Sequence, residues 1–236
     1  MEYTILICDD DADIRAALAI YLRQEGYKVA EAANGHEAVK CVAQDPVHLI
    51  LLDVMMPELD GIAAAVQIRD ISNVPILFLS AKSEETDQIL GLNMGGDDYI
   101  TKPFQPVELM ARVRAALRRY ARLGGLNEGG TTPEQGVYQT GGLVLDDNKK
   151  RVRIEGEDVT LTALEYNILK LLISNLDRVF SSAQIYEAVW DEPAFHVSKI
   201  VSVHIRHIRQ KIEINPKEPR YLKVVYGLGY KVVKHA

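Results

Sequence analysis

Cysteine is scarce in this chain, two among 236 residues, at Cys8 and Cys41. That count excludes a fold held by a disulfide framework. Cys8 falls inside an apolar run and Cys41 on a helical face, so both are expected to be free, reduced thiols. No apolar run approaches the roughly 18 residues that signal a bilayer span, and no basic leader precedes an apolar segment near Met1. Neither a membrane span nor export is expected, and the expected compartment is the cytoplasm. Acid is in excess, but only in one half. Residues 1–120 carry 11 Lys and Arg against 19 Asp and Glu, a net charge of -8, whereas residues 121–236 carry 16 against 14, a net charge of +2. An acidic half followed by a mildly basic one suggests a regulatory module joined to something that meets a polyanion. The length suits two domains of roughly 100 to 120 residues, each able to bury a core.

In the first half, apolar runs alternate with segments of helical period, the pattern of βα units and a parallel sheet covered on both faces. Strands are predicted at 3–8, 27–32, 48–53, 75–80 and 98–101, with helices near 12–25, 35–44, 59–70, 84–94 and 106–120. Asn34 followed by Glu37 resembles a capping box, Gly26 and Gly95 suit left-handed C-terminal caps, and Pro106 fits a first helical turn. Five such units make a doubly wound, five-stranded parallel sheet of α/β class, flavodoxin-like in its winding.

Ligands of these sheets bind beyond the carboxyl ends of the strands. Asp9, Asp10, Asp53, Ser80 and Lys102 all fall at or just past a predicted strand end. Singly, an Asp after a strand is more often a turn former or helix cap. Together they suit phosphoryl chemistry. Mg2+ is a hard cation commonly held by one or two carboxylates, waters and phosphate oxygens. Three clustered carboxylates repel one another without it, and bound Mg2+ leaves Asp53 ionised as a nucleophile towards a phosphoryl donor. Lys102 offers a compact positive charge and Ser80 a hydroxyl donor to the product. A second base for rapid multi-turnover hydrolysis is lacking.

The runs Cys8-Asp-Asp-Asp11, Leu52-Asp-Val-Met-Met-Pro57 with Asp60-Gly61, Leu79-Ser-Ala81 and Lys102-Pro-Phe104 resemble the receiver domain of bacterial two-component response regulators. The resemblance covers about residues 1–120 in order, spacing and strand context. It implies that Asp53 takes a phosphoryl group from a sensor histidine kinase. It further implies that Asp10, Asp53 and the Met55 backbone carbonyl bind Mg2+, with Asp9 acting through water. Ser80 and Tyr99 become the switch pair, Ser80 moving towards the phosphate as Tyr99 turns inward, and the Lys102-Pro103 bond is expected to be cis.

The segment 107–119 carries an apolar stripe of Val107, Met110, Val113 and Leu117 with charges beside it. Receivers of the OmpR/PhoB family, which it resembles, dimerise through the helix, strand and helix that correspond to 84–94, 98–101 and 106–120. The matching charges are Asp97 and Asp98 facing Arg119 and Arg112 of a partner chain, with Ile89 and Leu90 as an apolar patch. Glu108 takes part as well, but Gln88 stands where many members carry its basic partner. The loss is small, because exposed ion pairs contribute only about 0–1 kcal/mol.

Residues 121–136 are glycine-rich, polar and aperiodic, as expected of a flexible linker between a receiver at 1–120 and a second domain at 137–236. Residues 137–160 read as short antiparallel strands, followed by helices from Thr162 to about Leu176, from Ser182 to Trp190 and over about 197–213, and a hairpin over 221–233. Three helices and a hairpin make an α+β winged helix. From His196 to Lys211 there are Lys199, Arg206, Arg209, Lys211 and three histidines, with no acid. Ile200, Val201, Val203, Ile205, Ile208 and Ile212 leave most of the basic residues on another face, as a helix laid in a major groove requires.

Val203-His-Ile-Arg-His-Ile-Arg-Gln-Lys-Ile212 and Tyr226-Gly-Leu-Gly-Tyr230 are similar to the OmpR/PhoB winged helix. That likeness implies a DNA-facing side of Lys199, Ser202, Val203, Arg206 and His207, with Arg209 on a phosphate and Tyr226 on the wing. It also implies that the loop 190–196 can touch RNA polymerase. Ser202 stands where the family often has Asp, and Tyr226 where many have a wing arginine, so operator sequence does not transfer. The expected whole is a DNA-binding transcriptional regulator, not an enzyme, that dimerises on Asp53 phosphorylation and binds promoter DNA. A phosphohydrolase with a basic localiser and a constitutive DNA-binding scaffold are the alternatives.

Overall fold

The computed structural model describes residues 3–81, 95–121, 136–190 and 198–235. Five strands, β1 (Thr4–Cys8), β2 (Lys28–Ala32), β3 (Leu49–Asp53), β4 (Ile76–Ala81) and β5 (Asp98–Lys102), pair in parallel in the order β2-β1-β3-β4-β5. β1, β3 and β4 are nearly unbroken apolar runs because a central strand covered on both faces has no water-facing side. Alternate side chains go to opposite faces. Ile5, Ile7, Leu49, Leu51, Leu77 and Leu79 pack against α1 (Ala12–Gln24) and α4 (Pro106–Tyr120), through Leu18, Leu22, Leu109, Val113 and Leu117. Leu6, Ile50, Leu52, Ile76 and Phe78 pack on the other face with Ala38 of α2 (Gly35–Gln44) and Ala64, Ala65 and Ile68 of α3 (Gly61–Ile71). Burying one such aliphatic side chain contributes about 1.5–3 kcal/mol, so these two layers fix where the strands end.

The helix starts are capped by side chains. Asp11 accepts from Asp13 and Ile14 N–H, Asp60 from Ala63 N–H, and Asn34 from Glu37 N–H. The Glu37 carboxylate accepts from Ala33 N–H, one residue before the cap, so the return bond of a capping box is displaced by one position. Gly26 and Gly95 have φ of 86° and 116°, the left-handed region that favours glycine. The helix expected near 84–94 lies outside the described residues. Cys8 and Cys41 are both free. The Cys8 thiol lies among Asn34 O and Met56 Sδ, and burial pushes its pKa up to about 12.

The second half starts with a four-stranded antiparallel sheet of β6 (Val137–Thr140), β7 (Leu143–Asp146), β8 (Arg151–Ile154) and β9 (Glu157–Val159), in sequence order. Helices α5 (Ala163–Ile173), α6 (Ser182–Trp190) and α7 (Ser198–Ile212) follow, then the hairpin of β10 (Leu222–Val225) and β11 (Gly229–Val232). Thr162 and Glu165 form a full capping box at the start of α5. Ile200, Val201, Val203, Ile205, Ile208 and Ile212 are all buried, so one face of α7 belongs to the core. Trp190, fully buried, stacks on Tyr186 with ring centroids 4.7 Å apart.

Contacts divide the chain into two compact units, 1–120 and 121–236. Most of the expected linker, 122–135, lies outside the described residues. Among the described residues no helix is long and apolar enough to cross a membrane.

Candidate functional site

Asp9 and Asp10 follow β1, Asp53 closes β3, and Lys102 closes β5. Parallel pairing puts all these ends on one edge of the sheet. Lys102 Nζ lies 2.7 Å from Asp9 Oδ2, 93 residues away in sequence, and 2.7 Å from Asp53 Oδ1. Asp9, Asp10 and Asp53 each bring a carboxylate oxygen within 4.8 Å of the others. Asp9 and Asp53 are buried while Asp10 is exposed, so the cluster has a wet mouth over a dry floor. Met55 is exposed beside it.

Burial is the main reason that the Asp53 carboxyl is held above its usual range. Lys102 opposes that shift by hydrogen bond and charge, and the charges of Asp9 and Asp10 add to it. Burial alone would lower Lys102, but its hydrogen bonds to Asp53 and Asp9, and their charges, hold it above the ordinary lysine value. A cation at the mouth would relieve the carboxylate repulsion. Three convergent hard oxygen donors, one of them open to water, fit Mg2+, which keeps part of its hydration shell.

Two supports of this site had no signal in the spacing of charges. Arg15 of α1 donates through Nη1 to the carbonyls of Asp9 at 2.7 Å and Asp10 at 3.1 Å, while Asp9 Oδ1 accepts from Asp11 N–H. The guanidinium thus sets the backbone from which both acids project. A Cβ on Gly61 would overlap the Asp53 carbonyl, so the turn that returns the chain beneath Asp53 admits only glycine without movement. Gly61 stands in the quoted Asp60-Gly61 pair, but its partner is a backbone atom.

Ser80 is buried one residue beyond Leu79, the register partner of Asp53. Tyr99 lies opposite Phe78, half-buried against the α2–α3 layer. The Lys102-Pro103 bond is cis.

The acids assigned by resemblance to a receiver dimer, Asp97 and Asp98, have partners within the single chain. Asp97, Asp98 and Arg119 are buried in the single chain. Asp97 Oδ2 accepts from Arg69 Nη2 at 2.7 Å and Ile76 N–H at 2.8 Å. Asp98 accepts from Arg112 Nη1 at 2.8 Å and from Tyr99 N–H, and Arg112 also reaches Glu108. A desolvated carboxylate left unpaired costs several kcal/mol, so these groups take partners within their own chain. Ile89 and Leu90 lie outside the described residues.

On α7, Lys199, Ser202 and Arg206 are exposed, and the Ser202 hydroxyl donates back to the Lys199 carbonyl. Val203, assigned to the DNA-facing side, is 6% exposed and turned into the domain. Its apolar side chain joins the Ile200–Ile212 stripe instead. His207 is half-buried, with Nδ1 3.9 Å from Glu165 Oε1, and Lys211 Nζ lies 2.6 Å from Glu165 Oε2. Arg209 donates through Nε to the Leu222 carbonyl at 2.9 Å. Tyr226, at the wing tip, is 90% exposed. Part of the basic face is therefore held by α5 and the wing, which a helical projection of α7 does not contain. The loop 191–197 lies outside the described residues.

An acid-lined sheet edge followed by an α+β unit with a basic helix and a wing defines a phosphoryl-controlled, DNA-binding regulator. Residues 5–114 match the family described as response regulator receiver domain, and residues 156–232 match the family described as transcriptional regulatory protein, C terminal. The regulatory protein VanR of Enterococcus faecium is 38% identical over 235 residues, covering 99% of this chain and 100% of the relative. The transcriptional regulatory protein YrkP of Bacillus subtilis is 43% identical over 232 residues, 98% of each chain. The response regulator DrrB of Thermotoga maritima, an OmpR/PhoB homologue of known structure, aligns over 99% of this chain and 100% of its own at 29% identity and a TM-score of 0.50. The chain belongs to the OmpR/PhoB family of two-component response regulators.

Proposed function

We propose that Asp53 is the phosphoacceptor, and that its phosphorylation by a sensor histidine kinase pairs two chains on promoter DNA. The observation that carries this reading is the convergence of Asp9, Asp10, Asp53 and Lys102 at the carboxyl ends of three parallel strands. An Asp53 carboxylate oxygen attacks the phosphorus of a phosphohistidine. The new O–P bond forms as the N–P bond breaks, and the electron pair of that bond returns to the imidazole, whose other nitrogen carries a proton. Mg2+ would be held by Asp10, Asp53 and the Met55 carbonyl, with Asp9 helping through water, and would supply charge neutralisation for the transferring phosphoryl oxygens.

Lys102 already sits against Asp53 and needs only to follow its oxygen to meet the phosphate. Ser80 donates its hydroxyl to the same group, and Tyr99 closes inward behind it. The face of β5 and α4 then becomes the dimer surface, with Glu108 on its rim. Because Asp98 and Arg112 are paired within one chain, dimerisation on this reading exchanges a cis contact for a trans one. Such an exchange contributes little net energy and mainly sets register.

The second unit places α7 in the major groove through Lys199, Ser202, Arg206 and His207. Two tethered winged helices gain from raised effective concentration rather than new DNA contacts. The segment 190–196 is the candidate contact for RNA polymerase, and the cytoplasm is the site of action. The chain acts as a switch rather than an enzyme, a reading that phosphate release faster than about one per second would contradict.

Light scattering with Mg2+ and a small phosphodonor tests the pairing. The molar mass should double for the wild type and stay monomeric for Asp53→Ala. Equal masses for the two proteins would favour the scaffold alternative.

A further inference from the structure

Glu213 follows α7 directly, its N–H closing onto the Arg209 carbonyl. The residue is 8% exposed, and its carboxylate carries three hydrogen bonds, all from backbone. Arg220 N–H donates to Oε2 at 2.7 Å, and Tyr221 and Leu222 N–H donate to Oε1 at 2.9 Å and 2.8 Å. These three amides are the entry to the wing. One turn earlier on the same helix, Arg209 Nε donates to the Leu222 carbonyl at 2.9 Å. Leu222 is therefore held at both its N–H and its C=O by side chains four residues apart, Arg209 on the last turn of α7 and Glu213 just past its end.

The wing's second strand has its own anchor. Phe180 and Tyr230 exchange both backbone hydrogen bonds at 2.9 Å, and a Cβ on Gly229 would overlap the Phe180 carbonyl. With both strands held at the base, the tip at Tyr226 and Leu228 projects 90% and 65% exposed.

We propose that Arg209 and Glu213 are positioning residues for DNA reading, fastening the first strand of the wing to the recognition helix so that both meet the duplex as one rigid head. The proposal rests on the DNA-binding reading of this unit. It replaces the expectation that Arg209 is a phosphate contact. Arg209 is half-buried, its Nη2 finds no hydrogen-bond partner among the described residues, and burial pushes the guanidinium below its usual value. An ionised carboxylate accepting three backbone N–H groups is a strong and directional fastening, and losing it leaves buried donors unsatisfied.

The two roles of Arg209 separate in one chemical comparison. Glutamine places its Nε2 the same number of bonds from Cα as arginine Nε, so Arg209→Gln keeps a donor for Leu222 and removes the charge. Arg209→Met removes both. The two-unit chain, activated with Mg2+ and beryllofluoride, is used to recover a duplex from a random-sequence pool, and affinity for that duplex is measured across salt concentration. Positioning predicts that Arg209→Met and Glu213→Gln lose roughly ten-fold or more in affinity at an unchanged salt slope, while Arg209→Gln stays within about three-fold of wild type. A phosphate contact predicts that Arg209→Gln falls with Arg209→Met and that the slope drops by about 0.9 in both, which would overturn the proposal.

Amide hydrogen exchange without DNA is the second arm. In Glu213→Gln the amides of 220–222 should exchange at least about ten-fold faster while Leu169 and Leu172 in α5 keep wild-type protection. Uniform loss of protection would mean a merely structural role and overturn the proposal. A wild-type chain that recovers no duplex would overturn the DNA-binding reading itself, and the exchange arm would still decide whether the fastening exists.

Discussion

Asp9, Asp53 and Lys102 meet at 2.7 Å across 93 residues of chain, whereas the basic groups of α7 share four turns of one helix and are drawn apart by partners elsewhere. In the first unit the sheet makes the site. Parallel pairing delivers strand ends to one edge, and acids that any other topology would scatter become neighbours. In the second unit the helix makes the face, and the neighbours decide what remains of it: Glu165 takes Lys211, and the Leu222 carbonyl takes Arg209. A convergent site is thus built of mutual contacts and is sensitive to each member. A divergent surface is built of residues whose exposure is set from behind.

If that contrast holds, removing the cation from the convergent site should have the largest effect. Lys102→Met leaves Asp9 and Asp53 buried without their shared partner, and we expect a loss of about 3 kcal/mol in the metal-free first unit, read by urea denaturation. Millimolar Mg2+ should recover part of it, since a ligand that binds only the folded state stabilises by mass action. An equal loss with and without Mg2+ would break the assignment of the metal to these acids. Gly61→Ala should cost about 2–3 kcal/mol in the same unit by pushing on the Asp53 carbonyl, with the transition of the second unit unmoved.

On the divergent surface the two sides of α7 should respond differently. Val203→Ala is expected to lower stability by about 1–2 kcal/mol, because Val203 is core, while leaving the salt slope of DNA binding unchanged. Arg206→Ala should leave stability within about 0.5 kcal/mol and reduce the slope by about 0.9. The reverse outcome would restore Val203 to the DNA-facing side.

The smallest effect expected is one of pH. Asp147 is ringed by Lys150 Nζ at 2.8 Å, Lys170 Nζ at 2.7 Å and Tyr166 Oη at 2.8 Å. Burial raises its pKa, but these hydrogen bonds and the Lys170 charge outweigh that and lower it from 3.8 to about 2. A carboxyl depressed in the folded state stabilises above its unfolded value, and that contribution is lost as pH falls through the folded one. Asp147→Asn should therefore unfold more easily than wild type above pH 3.8, and the two should converge near pH 2. A constant difference across that range in acid titrations by circular dichroism would contradict the ring.

What the sequence discloses follows the same divide. The strand ends were legible because Leu49–Asp53 and Ile76–Ser80 are buried runs that stop where the chain must turn, with Asp53 and Ser80 at those stops. Helix α7 was legible as an amphipathic element with a basic face, yet Val203 fitted both the apolar stripe and the inferred DNA side, and only packing separates them. Asp97, Asp98 and Arg119 looked like surface charges. Burial of the two carboxylates depends on Arg69, on Ile76 N–H and on the way Arg112 folds back, none of which lies at a helical or strand spacing from them. Arg15 and Glu213 escaped for a different reason: the contacts that give them their roles are to backbone atoms, which carry no residue type to pattern against.

The central claim is that a phosphoryl group on Asp53 controls what α7 does on DNA. The most direct measurement is affinity for a wild-type-selected duplex, with and without Mg2+ and a small phosphodonor, for wild type and Asp53→Ala, with intact mass recorded on the same samples. The account predicts one added phosphoryl group and at least about ten-fold tighter binding in the wild type, through the effective concentration of paired domains, and neither change in Asp53→Ala. Phosphoryl incorporation that persists in Asp53→Ala, or equal affinities in all four conditions, would contradict it.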